Sequence, residues 1–193
     1  IVAGITWLGM VTIILILSET MKIVAHNTVP MLWLWCLSVL INTMIQELLV
    51  RGYLYQQIKT KYNIISAAIF TTALFTFMHG SAFEAGIIPV MNVVTMSLLM
   101  TIVLEYTQSL IAPTIMHFVW NCIGAIILGG VSLTEDYPHF FVIKFEGNVL
   151  LSGGIPKMEG SMIVLLVNIG FILILYLHEK FHKRRKQVAS SDF

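Results

Sequence analysis

Residues 30–51 of the chain read PMLWLWCLSVLINTMIQELLVR. The first half of this stretch is almost wholly apolar, and a membrane-spanning helix needs roughly 20 mostly apolar residues. Glu47 and Arg51 nevertheless stand inside it, four residues apart, so one face of a helix would carry both charges. An ionisable side chain within a membrane is costly unless it is paired or hydrated. The stretch therefore predicts a transmembrane helix that faces a polar site.

The whole 193-residue chain has the composition of a membrane protein. Hydrophobic residues make up 58% and charged residues 11%, and the mean hydropathy is +0.88. A typical globular protein has about 25% charged residues. This composition excludes a disordered chain, a nucleic-acid-binding protein and a disulfide-stapled secreted module. Because Cys36 and Cys122 lie in apolar stretches, we expect both thiols to be free and buried.

Apolar stretches recur along the chain and predict an all-α, polytopic transmembrane helix bundle of about six spans. The spans are 1–17, 30 to at least 50, 63–78, 86–104, 110–128 and 161–177. The stretch 129–160 is too polar to span and is expected to be an extramembrane or re-entrant loop. We expect one membrane-embedded domain over 1–193, and because the chain begins at Ile1 without an initiator Met, we expect a fragment of a longer protein.

The distribution of Lys and Arg predicts the orientation, since cytoplasmic loops carry an excess of both residues. The tail 178–193 is rich in basic residues, which indicates a cytoplasmic C-terminus. With six spans, eight of the 11 Lys and Arg residues lie on or near the inner side, and the other three are Lys22, Lys144 and Lys157. We therefore expect a multi-pass protein of the cell membrane, in contact with the lipid bilayer.

Two other predicted spans carry polar residues at helical spacing. Phe75 and His79 are four residues apart, and so are His117 and Asn121. Each pair alone is typical of a helix end or of a hydrogen bond between packed helices. Together with Glu47, these side chains are tolerable in lipid only if they face one shared cavity. A carboxylate and two imidazoles in a wet cavity predict hydrolysis, with proton or ion transport as the alternative.

These residues resemble the three motifs of the CAAX-processing and bacteriocin-processing family of intramembrane proteases, also called the CPBP or Abi family. The family motifs are Glu-Glu-x-x-x-Arg, Phe-x-x-x-His and His-x-x-x-Asn. Here they read QELLVR at 46–51, FTFMH at 75–79 and HFVWN at 117–121. The Gly-rich segment 153–161, with its Glu-Gly-Ser, is similar to the turn before the last helix of bacterial members. The resemblance covers 32–177, which would be the protease core.

The resemblance implies roles for these side chains. A water is activated by the first Glu of the family's pair together with the first His. Carried over, His79 holds the water, His117 and Asn121 stabilise the oxyanion, and Arg51 forms a structural ion pair with Glu47. The predicted catalytic residues are thus Gln46, Glu47, His79, His117 and Asn121. No cofactor is required, with zinc bound by Glu47, His79 and His117 as an alternative.

The resemblance also implies the partners. The eukaryotic branch of the family cleaves prenylated C-terminal motifs, and bacterial members process peptides, confer bacteriocin self-immunity or scaffold other envelope enzymes. We expect a peptide or membrane-protein substrate, and another membrane or envelope protein as a further partner. The alternative functions are a non-catalytic membrane scaffold or bacteriocin immunity protein and, less favoured because no repeat symmetry is visible, a proton-coupled transporter.

Gln46 departs from the family pattern at the position of the general base. An amide can hold a water molecule but cannot deprotonate it near pH 7. The chain as written is therefore expected to be inactive, either as an engineered Glu-to-Gln variant or as a natural pseudoprotease. A substitute role for Glu47 as the base conflicts with its pairing to Arg51, which would stabilise the charged form of the carboxylate.

A second motif, His-Glu-x-x-His, occurs at 178–182 and matches the pattern of zinc proteases. Few residues follow it that could supply a third ligand, and the neighbouring cluster of Lys and Arg disfavours a divalent metal. We interpret this segment as a solvated, interfacial end of the last helix.

Overall fold

A computed structural model of the chain describes residues 2–131 and 137–191, with side chains up to Lys180 except that of Glu179. The structure is 75% helical. In chain order, the described elements are α1 (Val2–Leu17), β1 (Met21–His26), α2 (Leu32–Glu47), a first π-helical segment (Leu48–Leu54), α3 (Tyr55–Lys61), α4 (Ile64–Met78), α5 (Ser81–Ala85), α6 (Ile87–Thr107), α7 (Ile111–Val119), a second π-helical segment (Trp120–Ile127), β2 (Phe141–Phe145), α8 (Val149–Ser152), a 3-10 turn (Met158–Gly160) and α9 (Met162–Ser191).

A helix lies at each of the six predicted spans, but the count of six spans is not confirmed. By length and composition, two of the described helices could cross a membrane, namely the continuous helix Leu32–Lys61 and Ile87–Thr107. The other apolar helices are shorter: Val2–Leu17, Ile64–Met78, Ile111–Ile127 and Met162–His178. The continuous helix Leu32–Lys61 agrees with the prediction that the second span runs to at least residue 50.

The prediction of an all-α fold is confirmed for most of the described chain, which also contains a small two-stranded sheet that was not predicted. β1 and β2 pair antiparallel, with Met21 opposite Phe145 and an irregularity in register between Ile23 and Ala25. β2 is rich in β-branched and aromatic residues and β1 contains Ile23 and Val24, residue types that favour strands when a partner is near. The partner strand lies more than 100 residues away in the chain, so the pairing left no local signal in the sequence.

Cys36 and Cys122 are free thiols, the first half-buried and the second buried.

The largest core cluster holds α1, α6, α7 and α9 together. The rings of Trp7 and Trp120 stack with their centroids 4.8 Å apart, and both side chains are buried. Trp7 Nε1 donates to Asn168 Oδ1 over 2.8 Å, and Asn168 Nδ2 donates to Thr95 Oγ1 over 3.1 Å. These bonds satisfy polar groups that would otherwise be costly inside an apolar core. The core therefore joins α1, α6 and α9 through side-chain hydrogen bonds as well as packing.

Both π-helical segments lie at the motif residues. Arg51 stands in the first segment, which begins directly after Glu47, and Asn121 stands in the second. A π-helical turn holds one residue more than an α-helical turn, and such segments are frequent at functional sites. The sequence predicted ordinary α-helical spacing at both places. The π-helical segments thus change which side chains of these helices face the same direction.

Candidate active site

A buried ion cluster connects the first and third motifs. Glu47, Arg51 and His117 are all 0% exposed. Arg51 Nη1 donates to Glu47 Oε1 over 2.9 Å, and His117 Nδ1 donates to the same oxygen over 2.8 Å. Arg51 Nη2 also donates to the hydroxyl of Ser97 on α6 over 2.7 Å. The cluster therefore ties α2, the first π-helical segment, α6 and α7 to one another.

The partners of this cluster compensate the cost of burying its charges. An unpaired buried carboxylate or guanidinium would carry a desolvation penalty of several kcal/mol. Because the Glu47 carboxylate accepts from His117 Nδ1, that nitrogen carries the proton, and in a neutral ring Nε2 is an acceptor. Among the described residues, Glu47 Oε2 and His117 Nε2 have no hydrogen-bond partner. The cluster thus keeps unused hydrogen-bonding capacity.

The ring of Phe75, from the second motif, contacts the guanidinium and both imidazoles. The Arg51 guanidinium lies 4.4 Å from the centroid of the Phe75 ring, a cation–π contact. The ring centroid of His79 lies 4.4 Å from that of Phe75, and the centroid of His117 lies 5.5 Å from it. The two imidazole centroids are 6.4 Å apart. The second motif therefore packs directly against the first and third.

His79 ends α4 as its C-cap residue and is half-buried. Its Nδ1 donates to the carbonyl oxygen of Phe75 over 2.8 Å, one helical turn back. This bond fixes the ring and places the proton of a neutral imidazole on Nδ1, which leaves Nε2 as an acceptor. His79 can therefore accept a hydrogen bond from a water molecule.

A cavity of about 200 Å³ lies between α2, α4, α6 and the second π-helical segment. Most of its walls are polar, although they come from apolar helices. The lining residues are Asn42, Gln46, Phe75, Met78, His79, Ser81, Val93, Met96, Trp120, Asn121, Tyr137 and Glu159. A cavity of this size and polarity can hold several water molecules or a short piece of peptide.

The predicted site residues divide between the cavity and the ion cluster. Gln46, His79 and Asn121 line the cavity, whereas Glu47 and His117 lie in the buried cluster behind it. Gln46 Nε2 donates to Asn42 over 3.3 Å, and Gln46 Oε1 is buried without a partner among the described residues. Asn121 Nδ2 donates to the hydroxyl of Thr43 over 3.3 Å.

Within residues 2–131 and 137–180, no three His, Cys, Asp or Glu side chains form a group that could hold a metal ion. Such a group is therefore not formed by Glu47, His79 and His117, the predicted alternative set of zinc ligands. Of the second motif at 178–182, the side chains of Glu179 and His182 lie outside the described residues, and His178 Nδ1 lies 3.1 Å from the hydroxyl of Tyr106.

Glu159 and Asn92 were not among the site residues predicted from the sequence. Glu159 lies in the 3-10 turn before α9, is 7% exposed and lines the cavity. Asn92 is buried on α6, and its Nδ2 donates to the carbonyl oxygens of Glu159 over 2.7 Å and Ser161 over 3.0 Å. Two signals were present: an amide inside an apolar span, and the Glu-Gly-Ser segment itself.

Comparison with known families agrees with the motifs. The family described as type II CAAX prenyl endopeptidase Rce1-like matches residues 28–123, a stretch that contains all three motifs. No curated protein and no solved structure matches the chain. The family and the apolar helices together indicate a membrane protein with a protease-type site. Over residues 28–123, therefore, the chain belongs to the Rce1-like group within the CPBP or Abi family of CAAX-type intramembrane proteases.

Proposed function

We propose that the protein is an intramembrane peptidase that hydrolyses a peptide bond with a water molecule held in the cavity. The observation that supports this most is that Gln46, His79 and Asn121, one from each family motif, line one polar cavity between apolar helices. A wet cavity enclosed by helices is what hydrolysis inside a bilayer requires, since water is absent from the surrounding lipid.

In this proposal the three side chains bind the reacting groups. His79 accepts a hydrogen bond from the water through Nε2, because Nδ1 is used by the carbonyl of Phe75. Asn121 donates one amide hydrogen to the hydroxyl of Thr43, and its second amide hydrogen donates to the oxyanion of the tetrahedral intermediate. Gln46 holds the water but does not deprotonate it. Glu47 and His117 keep the cavity wall in place through their bond to each other.

The membrane arrangement belongs to the same proposal. The six apolar helices cross the bilayer, the shorter ones with help from interfacial aromatic residues, and the basic C-terminal tail faces the cytoplasm. The substrate is a peptide segment, either free or part of a membrane protein. The family name points to a prenylated C-terminal peptide as the first substrate to test.

Gln46 favours a second candidate function, a non-catalytic membrane protein that binds a peptide or an envelope partner. The amide at the position of the family's general base supports it, because a site without that base would bind and not cut. This candidate includes scaffolding and bacteriocin self-immunity.

The test uses the full chain in liposomes with two quenched fluorogenic peptides. One peptide ends in a farnesylated Cys followed by three residues, and the other is its unprenylated counterpart. We expect Gln46→Glu to cleave at least one peptide, and His79→Ala in that background to abolish cleavage. His26→Ala in the same background is the matched control, since His26 is an exposed histidine of β1 that does not line the cavity.

Two results would speak against the peptidase. Absence of cleavage by Gln46→Glu, in protein that stays folded in detergent, would favour the non-catalytic candidate. Equal loss of activity in His79→Ala and His26→Ala would mean that the effect of His79 is not specific to the cavity.

A further inference from the structure

Among the described residues that line the cavity, one is acidic, and that residue is Glu159. Glu47, the acidic residue of the first motif, is 0% exposed and is not part of the lining. Its Oε1 already accepts hydrogen bonds from Arg51 and His117. Glu159 is thus the acidic group that shares the cavity with His79 and Asn121.

The turn that carries Glu159 is held in place by buried hydrogen bonds. The side chain of Asn92 binds the carbonyl oxygens on both sides of Gly160, those of Glu159 and Ser161. The backbone N–H of Met158 donates to the carbonyl oxygen of Gly130 over 3.0 Å, and the hydroxyl of Ser161 donates to the carbonyl oxygen of Leu151. These bonds fix the turn against α6, α8 and the end of the second π-helical segment.

The turn also requires the glycine that follows Glu159. A Cβ atom at position 160 would collide with the carbonyl oxygen of Gly153 and lie 3.0 Å from Cβ of Pro156. The backbone of the turn approaches the Gly153–Gly154 bend so closely that no residue larger than glycine fits at position 160. Because the turn is constrained in this way, the side chain of Glu159 has a defined position, as a catalytic group needs.

We propose that Glu159 is the general base of this peptidase and supplies the carboxylate that Gln46 lacks. This inference rests on the peptidase function proposed above. It predicts that the chain is active as written, in contrast to the inactivity expected from Gln46 alone. In the family pattern the general base occupies the position of Gln46 on α2, whereas in this proposal it lies on the turn before α9.

The chemical step balances without any further reactant. The Glu159 carboxylate takes a proton from the water bound at His79, and the water oxygen forms a bond to the carbonyl carbon of the scissile peptide. Asn121 donates to the resulting oxyanion. The C–N bond then breaks, and the proton passes from Glu159 to the leaving nitrogen, which yields a carboxylic acid and an amine.

The experiment combines two substitutions, Glu159→Gln and Gln46→Glu, in the full chain in liposomes with the same two peptides. We expect the unmodified chain to cleave, and Glu159→Gln to lower kcat by about 100-fold or more with a much smaller change in KM, as loss of a general base does. The double variant regains activity, because a carboxylate again faces the bound water. Glu159→Asp keeps part of the activity.

The pH dependence separates a base from a structural residue. In the unmodified chain, kcat falls on the acid side with a slope of about one as the Glu159 carboxylate is protonated. In Glu159→Gln the residual activity lacks this limb, and the limb returns in the double variant. Glu84→Gln, at an exposed carboxylate of α5 outside the cavity lining, is the matched control and leaves both kcat and its pH profile unchanged.

The outcomes distinguish this inference from the proposed function. If the unmodified chain is silent while Gln46→Glu cleaves, the peptidase function stands and Glu159 is not the base. The same holds if Glu159→Gln cleaves as fast as the unmodified chain, which would leave His79 as the base. If no variant cleaves although all unfold at the same temperature as the unmodified chain, the peptidase function fails and this inference fails with it.

Discussion

Nδ1 of His117 lies 2.8 Å from Oε1 of Glu47, and Nη1 of Arg51 lies 2.9 Å from that oxygen. One carboxylate oxygen therefore accepts hydrogen bonds from a cation on its own helix and from an imidazole on α7, 70 residues further along the chain. Because all three side chains are fully buried, no solvent replaces a lost partner. The cluster thus couples the helices that form the cavity wall.

Removal of Arg51 should destabilise the protein strongly. Arg51→Met leaves the Glu47 carboxylate buried without its cation, which costs about 3–5 kcal/mol. Lys22→Met is the matched control, because the Lys22–Glu146 pair is exposed, at 53% and 37%, and such pairs contribute little to stability. Unfolding in detergent measures both. A loss in Arg51→Met as small as that in Lys22→Met would contradict the role given to the cluster.

Phe75 should be more sensitive to substitution than its neighbour Phe77. Phe75→Leu removes the cation–π contact with Arg51, worth about 2 kcal/mol in a desolvated site, and the ring face against His79. Phe77 is 72% exposed and stacks on Phe83, so Phe77→Leu should cost less than about 1 kcal/mol. Unfolding measurements on both variants test this difference, and equal losses would contradict it.

The motif spacing was sufficient to anticipate a polar site between apolar helices. Spacing of four residues puts Glu47 and Arg51 on one helical face, and the structure has their ion pair. The same spacing gives the neighbours Gln46 and Glu47 different directions on the helix, but it did not predict which of them faces the cavity. In the structure Gln46 lines the cavity and Glu47 lies in the buried cluster, because adjacent helical residues point about 100° apart.

Other features depend on contacts that no local pattern encodes. The first π-helical segment includes Gly52, where a Cβ would lie 3.1 Å from the side chain of Leu110 on the neighbouring chain segment. β1 and β2 form only because two short segments from opposite halves of the chain meet. The turn that carries Glu159 is held by a hydrogen bond from Asn92 to the backbone carbonyl of Glu159, across 67 residues. In each case, packing between distant residues decides the local geometry.

The turn before α9 should not tolerate a side chain at position 160. Gly160→Ala forces the backbone away from Gly153 and Pro156, which should cost about 1–3 kcal/mol and displace Glu159. Gly170→Ala is the matched control, since a Cβ there meets nothing within 4 Å and Ala favours a helix interior by about 0.5–1 kcal/mol. Unfolding and peptide cleavage are measured on both. A Gly160→Ala protein as stable and active as Gly170→Ala would contradict the close approach.

Asn121 should matter for catalysis more than for stability. In whichever form cleaves, the unmodified chain or Gln46→Glu, Asn121→Ala should lower kcat by about 100- to 1000-fold, as loss of one oxyanion donor does. Asn121→Asp should lose as much, because a carboxylate of the same shape donates nothing and repels the oxyanion. Thr43→Val removes only the hydroxyl that accepts from Asn121 over 3.3 Å, so kcat should fall by less than about tenfold. Cleavage rates at saturating peptide test this order, and an Asn121→Ala protein no slower than Thr43→Val would remove Asn121 from the mechanism.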